Sequence, residues 1–146
     1  PHRYGPFAPK LNHLLNSLDG SYLRSDKRIA DADPLDVIWF DDSRKGLVQA
    51  YLKSEAKDLA PALEATAALI DGFESPYGME LLASVDWLLS QANVAPSVPA
   101  VREGLANWPA EGVDGAGQRK SNLFDERAVG FALERLLGSR LYSPAR

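Results

Sequence analysis

The chain has 146 residues, no cysteine, two histidines and a formal net charge of −4. That length suits one domain, and folding that buries roughly 68–70% of the unfolded surface gives a core that needs no covalent staple. The absence of cysteine excludes disulfide and thiolate chemistry and agrees with a reducing cytoplasm, while no apolar run approaches the ~18 residues that cross a bilayer and no signal-peptide pattern opens the chain.

A start at Pro1 without Met reads as an excised or processed domain. Residues 31–42 and residues 61–91 each carry five carboxylates and no Lys or Arg. Blocks of that kind argue against direct nucleic-acid binding across their surfaces and make a basic partner the natural guess. The plain alternative is that the acids lie on scattered solvated faces.

In chain order, Phe7, Leu11, Leu14, Leu15 and Leu18 recur at helical spacing and predict a helix over 6–18, stopped by Asp19-Gly20. His13 lies within it, but a second histidine only at position 2 leaves no His-rich metal site. Residues 21–24 read as a short strand, and the β-branched and aromatic run 35–40 reads as a second, so a small two-stranded sheet is expected. Asp31 and Asp33 are two apart with no third ligand at a defined spacing, too little to predict a metal. Asp41-Asp42-Ser43 can cap a helix over 46–53, and an Ala-rich helix over 59–70 ends at Asp71-Gly72.

Ser75-Pro76 has the form of a helix start, because Ser caps free amides and Pro at the first helical position gives up a donor without a partner. The helix over 76–90 is apolar around more than half its girth, at Leu81, Leu82, Val85, Trp87, Leu88 and Leu89. It is predicted to be central. Glu80 and Asp86 on it must either face its one wet strip or be buried and paired, Glu80 with a core Arg. A further helix carrying Val101, Leu105 and Trp108 opens at Ser97 or Pro99. Residues 109–118 hold three of the eleven glycines and read as a mobile loop. Asp125 caps the last helix, over 126–137, and Gly138 closes it. The fold class is therefore mainly α, or α+β with a small sheet: about six helices around the central one.

No Gly-rich phosphate loop, nucleophile elbow or paired-His motif is present. Enzymatic chemistry would have to rest on Glu74, Glu80 and Asp86, and Glu74 has an equally good structural role in capping beside Ser75.

Phe73-Glu74-Ser75-Pro76-Tyr77-Gly78-Met79-Glu80-Leu81-Leu82-Ala83-Ser84-Val85-Asp86-Trp87 resembles the PYGMELLATVxW signature of the C-terminal domain of DarG-type antitoxins. Tyr4-Gly5-Pro6-Phe7-Ala8, the spaced leucines and Leu18-Asp19-Gly20 look like the opening of the same domain. Arg119-Lys120 departs from the family pattern, being separated from Trp108 by the glycine-rich loop rather than by a few residues. The resemblance covers most of the chain and implies a YbiA-like, mainly helical fold without catalytic residues or cofactor, the glycohydrolase macrodomain lying elsewhere. It further implies a single toxin-neutralising domain over 1–146, acting as a monomer in the bacterial cytoplasm. Its partner would be a DarT-type toxin that ADP-ribosylates single-stranded DNA. Such a toxin needs a basic groove with aromatic platforms, and Asp31, Asp33, Asp36, Asp41 and Asp42 interleaved with Trp39 and Phe40 offer matching carboxylates and rings. Glu74, Tyr77 and Glu80 complete the expected partner-binding set. Against this, Trp39 and Phe40 can equally fill the core. An enzyme acting on ADP-ribose or a related nucleotide glycoside is the alternative function.

Overall fold

A computed structural model describes residues 1–139 except Phe7, Pro9, residues 33–35 and residues 111–113. The chain divides into two compact units, one of residues 1–7 with 61–146 and one of residues 8–60. Among the described residues no helix is long and apolar enough to cross a membrane.

The unit of residues 8–60 holds α1 (Lys10–Leu18), β1 (Leu23–Arg24), β2 (Trp39–Phe40) and α2 (Lys45–Lys53), with short 3-10 turns at Ile29–Asp31, Asp42–Arg44 and Lys57–Leu59. Its two strands pair antiparallel, Leu23 opposite Phe40 and Arg24 opposite Trp39. The expected first helix is shorter than predicted, starting at Lys10, and the expected strand over 35–40 is paired only at its last two residues, with Leu35 outside the described residues. The Asp41 carboxylate accepts from the Ser43 amide and opens the 3-10 turn before α2.

The other unit is built from α3 (Ala60–Ile70), α4 (Pro76–Ser90), α5 (Val98–Ala106), α6 (Ala116–Leu123) and α7 (Glu126–Gly138). α4 is the centre, as predicted: it packs on α5 and α7, and α5 packs on α6 and α7. Leu81, Leu82, Val85, Leu88 and Leu89 of α4 meet Val101, Leu105, Trp108, Phe124, Val129, Ala132, Leu133 and Leu136 in one core. Asp86 takes the wet strip of α4 and is exposed.

The start of α4 explains its local sequence. The Ser75 hydroxyl accepts from the Gly78 amide at 3.0 Å, and Pro76 occupies the first turn. A Cβ on Gly78 would lie 2.6 Å from the Phe73 carbonyl oxygen, so the turn folds back only on a glycine. The Asp125 carboxylate caps α7 in the same way, accepting from Ala128 at 2.7 Å. The glycine-rich stretch departs from expectation: Ala116–Gln118 belong to α6, while residues 111–113 lie outside the described residues. Its glycine is used for packing rather than mobility, since a Cβ on Gly117 would run into the Ala106 carbonyl at the end of α5. Trp108 lies just beyond α5, buried, its ring edge-on to Trp87 at 5.0 Å. The described residues thus contain seven α-helices, α4 and six others, in agreement with the expected helix count.

Candidate functional site

The sequence-predicted site residues fall on both units. On the unit of residues 8–60, Trp39 and Phe40 are not core residues: they stand 44% and 39% exposed on β2, preceded by the exposed Val37 and Ile38. Three of the neighbouring carboxylates are tied to cations of the same unit. Arg28 reaches Asp31 at 2.9 Å, Lys27 reaches Asp36 at 2.8 Å, and the Arg24 guanidinium donates to Asp41 from Nε at 3.1 Å and Nη2 at 2.9 Å. Hydrogen bonds from Ser43, then from Arg24, hold the Asp41 carboxyl down at about 2. Asp42 is exposed in the following 3-10 turn, and Asp33 lies outside the described residues. Beside Phe40, a notch of about 570 Å³ is lined by Leu18, Tyr22, Leu23, Leu47 and Tyr51. This surface therefore combines exposed rings, an apolar notch and ordered carboxylates.

On the other unit, Glu74 is exposed before α4, and the cap it was offered for is supplied by the Ser75 hydroxyl. Tyr77 is exposed, sets its ring edge-on to Phe124 at 5.3 Å and donates its hydroxyl to the Leu123 carbonyl at 3.4 Å. Partial burial and the nearby Asp125 charge push its phenol up.

Glu80 turns inward. Both of its oxygens are engaged: Arg119 donates to Oε1 and, at 3.0 Å, to Oε2, and Lys120 Nζ donates to Oε1 at 2.9 Å. Lys120 is fully buried, donates a second bond to the Ser84 hydroxyl at 2.9 Å and lies over the Trp108 ring at 4.6 Å. Burial alone would push Glu80 up, but the hydrogen bonds from Arg119 and Lys120 outweigh it and hold the carboxyl below its ordinary range. Burial pushes Lys120 down, partly offset by Glu80.

The first residues of the chain close over this group. His2 and Gly5 exchange backbone hydrogen bonds, the His2 carbonyl accepts from Trp108 Nε1 at 2.9 Å, and the Tyr4 ring lies 4.8 Å from the Arg119 guanidinium carbon. Sequence reasoning foresaw an Arg partner for Glu80 but missed the buried Lys120 and Ser84. The signal available was Arg119-Lys120 as the basic dipeptide beyond Trp108. Among the described residues, no group of His, Asp and Glu is arranged to hold a metal ion.

The site residues thus form two arrangements among the described residues: exposed rings and carboxylates on the unit of residues 8–60, and the inward Glu80 held by Arg119 and the buried Lys120 on the other. No protein-family model matches the chain. Its relatives are proteins named DNA ADP-ribosyl glycohydrolase: those of Mycobacterium tuberculosis and Mycobacterium bovis are each 30% identical over 94% of this chain, and that of Thermus aquaticus is 35% identical over 73% of it. The chain spans 37% of the length of each mycobacterial relative and 25% of the Thermus one.

Proposed function

We propose that this chain is the toxin-neutralising part of a bacterial DarG-type antitoxin, acting in the cytoplasm as a monomer that binds a DarT-like ADP-ribosyltransferase and denies it single-stranded DNA. The observation that carries the reading is the exposure of Trp39 and Phe40 on a strand flanked by Asp36, Asp41 and Asp42. Rings of this kind stand in for stacked bases, and carboxylates stand in for phosphates against a basic groove. Exposed ion pairs contribute only about 0–1 kcal/mol each, so cations of a partner can displace Arg24, Lys27 and Arg28 from their aspartates. Asp31, Asp33 and Asp42 belong to the same proposed surface. Glu74 and Tyr77 are proposed contacts on the other unit, with Glu80 acting there through Arg119 rather than directly.

On this reading the glycohydrolase activity in the relatives' name resides in the part of them outside the match, which the 37% span of each mycobacterial relative leaves room for. Glu80, on which an enzymatic reading of this chain would depend, supports the binding reading instead, because both its oxygens already accept from Arg119 and Lys120.

The test is to titrate the chain into a DarT-type toxin and follow DNA modification at several concentrations of single-stranded DNA. Inhibition that more DNA relieves is expected, with Trp39→Ala and Asp42→Lys each weakening it and Asp42→Lys also slowing association at low salt. Inhibition that DNA cannot relieve would rule out mimicry and leave toxin binding, while no inhibition would refute the reading.

A further inference from the structure

A second surface, which shares Tyr77 with the proposed toxin contacts but is argued without them, lies within the unit of residues 1–7 and 61–146. The residues of α3, the turn into α4 and α7 enclose a groove of about 1330 Å³. Its floor on α3 is small: Pro61, Ala62, Ala65 and Ala68 line it, spaced along one face, so that another backbone can approach closely. Opposite stands Phe131, 53% exposed, with Tyr77 and Phe73 at the α4 end. Phe131, half in water, continues the apolar lining of the groove with a ring that a partner can cover.

The charge of the groove fixes the kind of partner. Among the described residues its lining carries Glu64, Asp71 and Glu134 and one cation, Arg135. That cation is already spent: Arg135 Nη1 donates to the carbonyls of Ala68 at 3.0 Å, Leu69 at 3.1 Å and Asp71 at 2.6 Å, closing the C-terminal end of α3, and its guanidinium lies over the Phe73 ring at 5.4 Å. Among the described residues, Arg127 sits over the Phe131 ring at 5.5 Å and is not part of the lining. What faces an incoming chain is an apolar trough with an acidic rim. The eleven residues of α3 extend about 16 Å, the length of about three turns of a docked helix.

We infer that the groove between α3 and α7 is a docking site for a basic amphipathic helix of a partner protein, which seats apolar residues at i, i+3/i+4 and i+7 on the alanine floor against Phe131 and sets Lys or Arg against Glu64, Asp71 and Glu134.

The probe is a fluorescein-labelled Leu/Lys amphipathic helix, compared with the same helix carrying Glu for Lys, with binding followed by anisotropy and by backbone amide shifts. The Lys peptide is expected to bind, to weaken as salt rises and to shift amides of α3 and α7 around Ala65 and Phe131. The Glu peptide is expected not to bind. Ala62→Trp fills the trough from an exposed helix position and is expected to weaken binding about tenfold or more, and Phe131→Ser, which removes only an exposed ring, to weaken it comparably. Glu134→Lys is expected to weaken it severalfold and to flatten the salt dependence. Equal binding of the two peptides, binding unchanged in both Ala62→Trp and Phe131→Ser, or no binding of the Lys peptide would overturn the inference. So would concentration-dependent shifts of the same amides without peptide, which would mean that a second copy of the chain fills the groove. Because no toxin enters the assay, none of these outcomes bears on toxin inhibition.

Discussion

Glu80 is, among the described residues, the carboxylate that meets the fully buried Lys120. Removing one partner of a buried charge group costs about 3–5 kcal/mol, since the remaining charge stays out of water. Glu80→Gln is expected to lower the unfolding free energy by about that much in a urea titration. Lys120→Met leaves Glu80 still held by Arg119 and removes the buried ammonium. Its cost reduces mainly to the Ser84 hydroxyl left without its donor, about 1–3 kcal/mol. The pH dependence follows from the directions of the shifts. Glu80 is held below its ordinary 4.5 in the folded chain, so its contribution is fully present above 4.5 and is lost as the pH falls through the lower folded value. Lys120 gives the same sign for a different reason: burial holds it below its ordinary 10.5, so the folded state resists its proton and gains stability as the pH rises from the folded value toward 10.5. Unfolding curves across pH 2.5–6 are expected to show a steep acid limb in the parent chain and a flatter one in Glu80→Gln. A limb of unchanged steepness would assign acid sensitivity to other carboxylates.

At the scale of elements, the caps are independent local devices. Ser75→Ala leaves the Gly78 amide at the start of α4 without its acceptor, and Asp125→Ala does the same to Ala128 in α7. Each is expected to cost about 1 kcal/mol in thermal unfolding, the two adding in the double variant, because each cap serves its own helix. These were the features most legible in the sequence, for a physical reason: a cap is a contact between residues three apart. α4, α3 and α7 could be placed from Ser75-Pro76, Asp71-Gly72 and Asp125 alone. α6 was not legible because its glycines carry two messages, and only the closeness of Gly117 to the end of α5 tells packing from a loop. The buried Lys120 was hidden for the same reason, its partner Glu80 lying forty residues earlier. Nor can any local pattern separate an exposed Trp39-Phe40 pair from a core strand, since both read as β-branched and aromatic.

At the scale of the molecule, the two units differ in how much they bury. In the unit of residues 1–7 and 61–146 the core runs through α4, α5, α6 and α7, and the chain's first residues are tied to it through Trp108 and Arg119. Among the described residues of the unit 8–60, only Ile29 and Ala56 are buried hydrophobics. Leu11, Leu14, Leu18, Leu47 and Tyr51 of α1 and α2 are all exposed. Local opening free energy tracks buried apolar contact, so the two units are expected to exchange amide protons on different scales. The slowest amides should be those of α4 around Val85 and of α7 around Val129 and Ala132, approaching the global unfolding limit. Amides of α1 and α2, whose helices bury no residue, should exchange at least a hundredfold faster, equivalent to about 2.7 kcal/mol less protection. The same experiment with a DarT-type toxin present separates the roles of the units. If the Trp39–Phe40 strand is the contact, protection should rise most in β1, β2 and α2, because a partner supplies there the buried surface that residues 8–60 lack. Protection gained only in α3 and α7 would move the toxin contact to the alanine-floored groove and leave the acidic aromatic strand without its proposed partner.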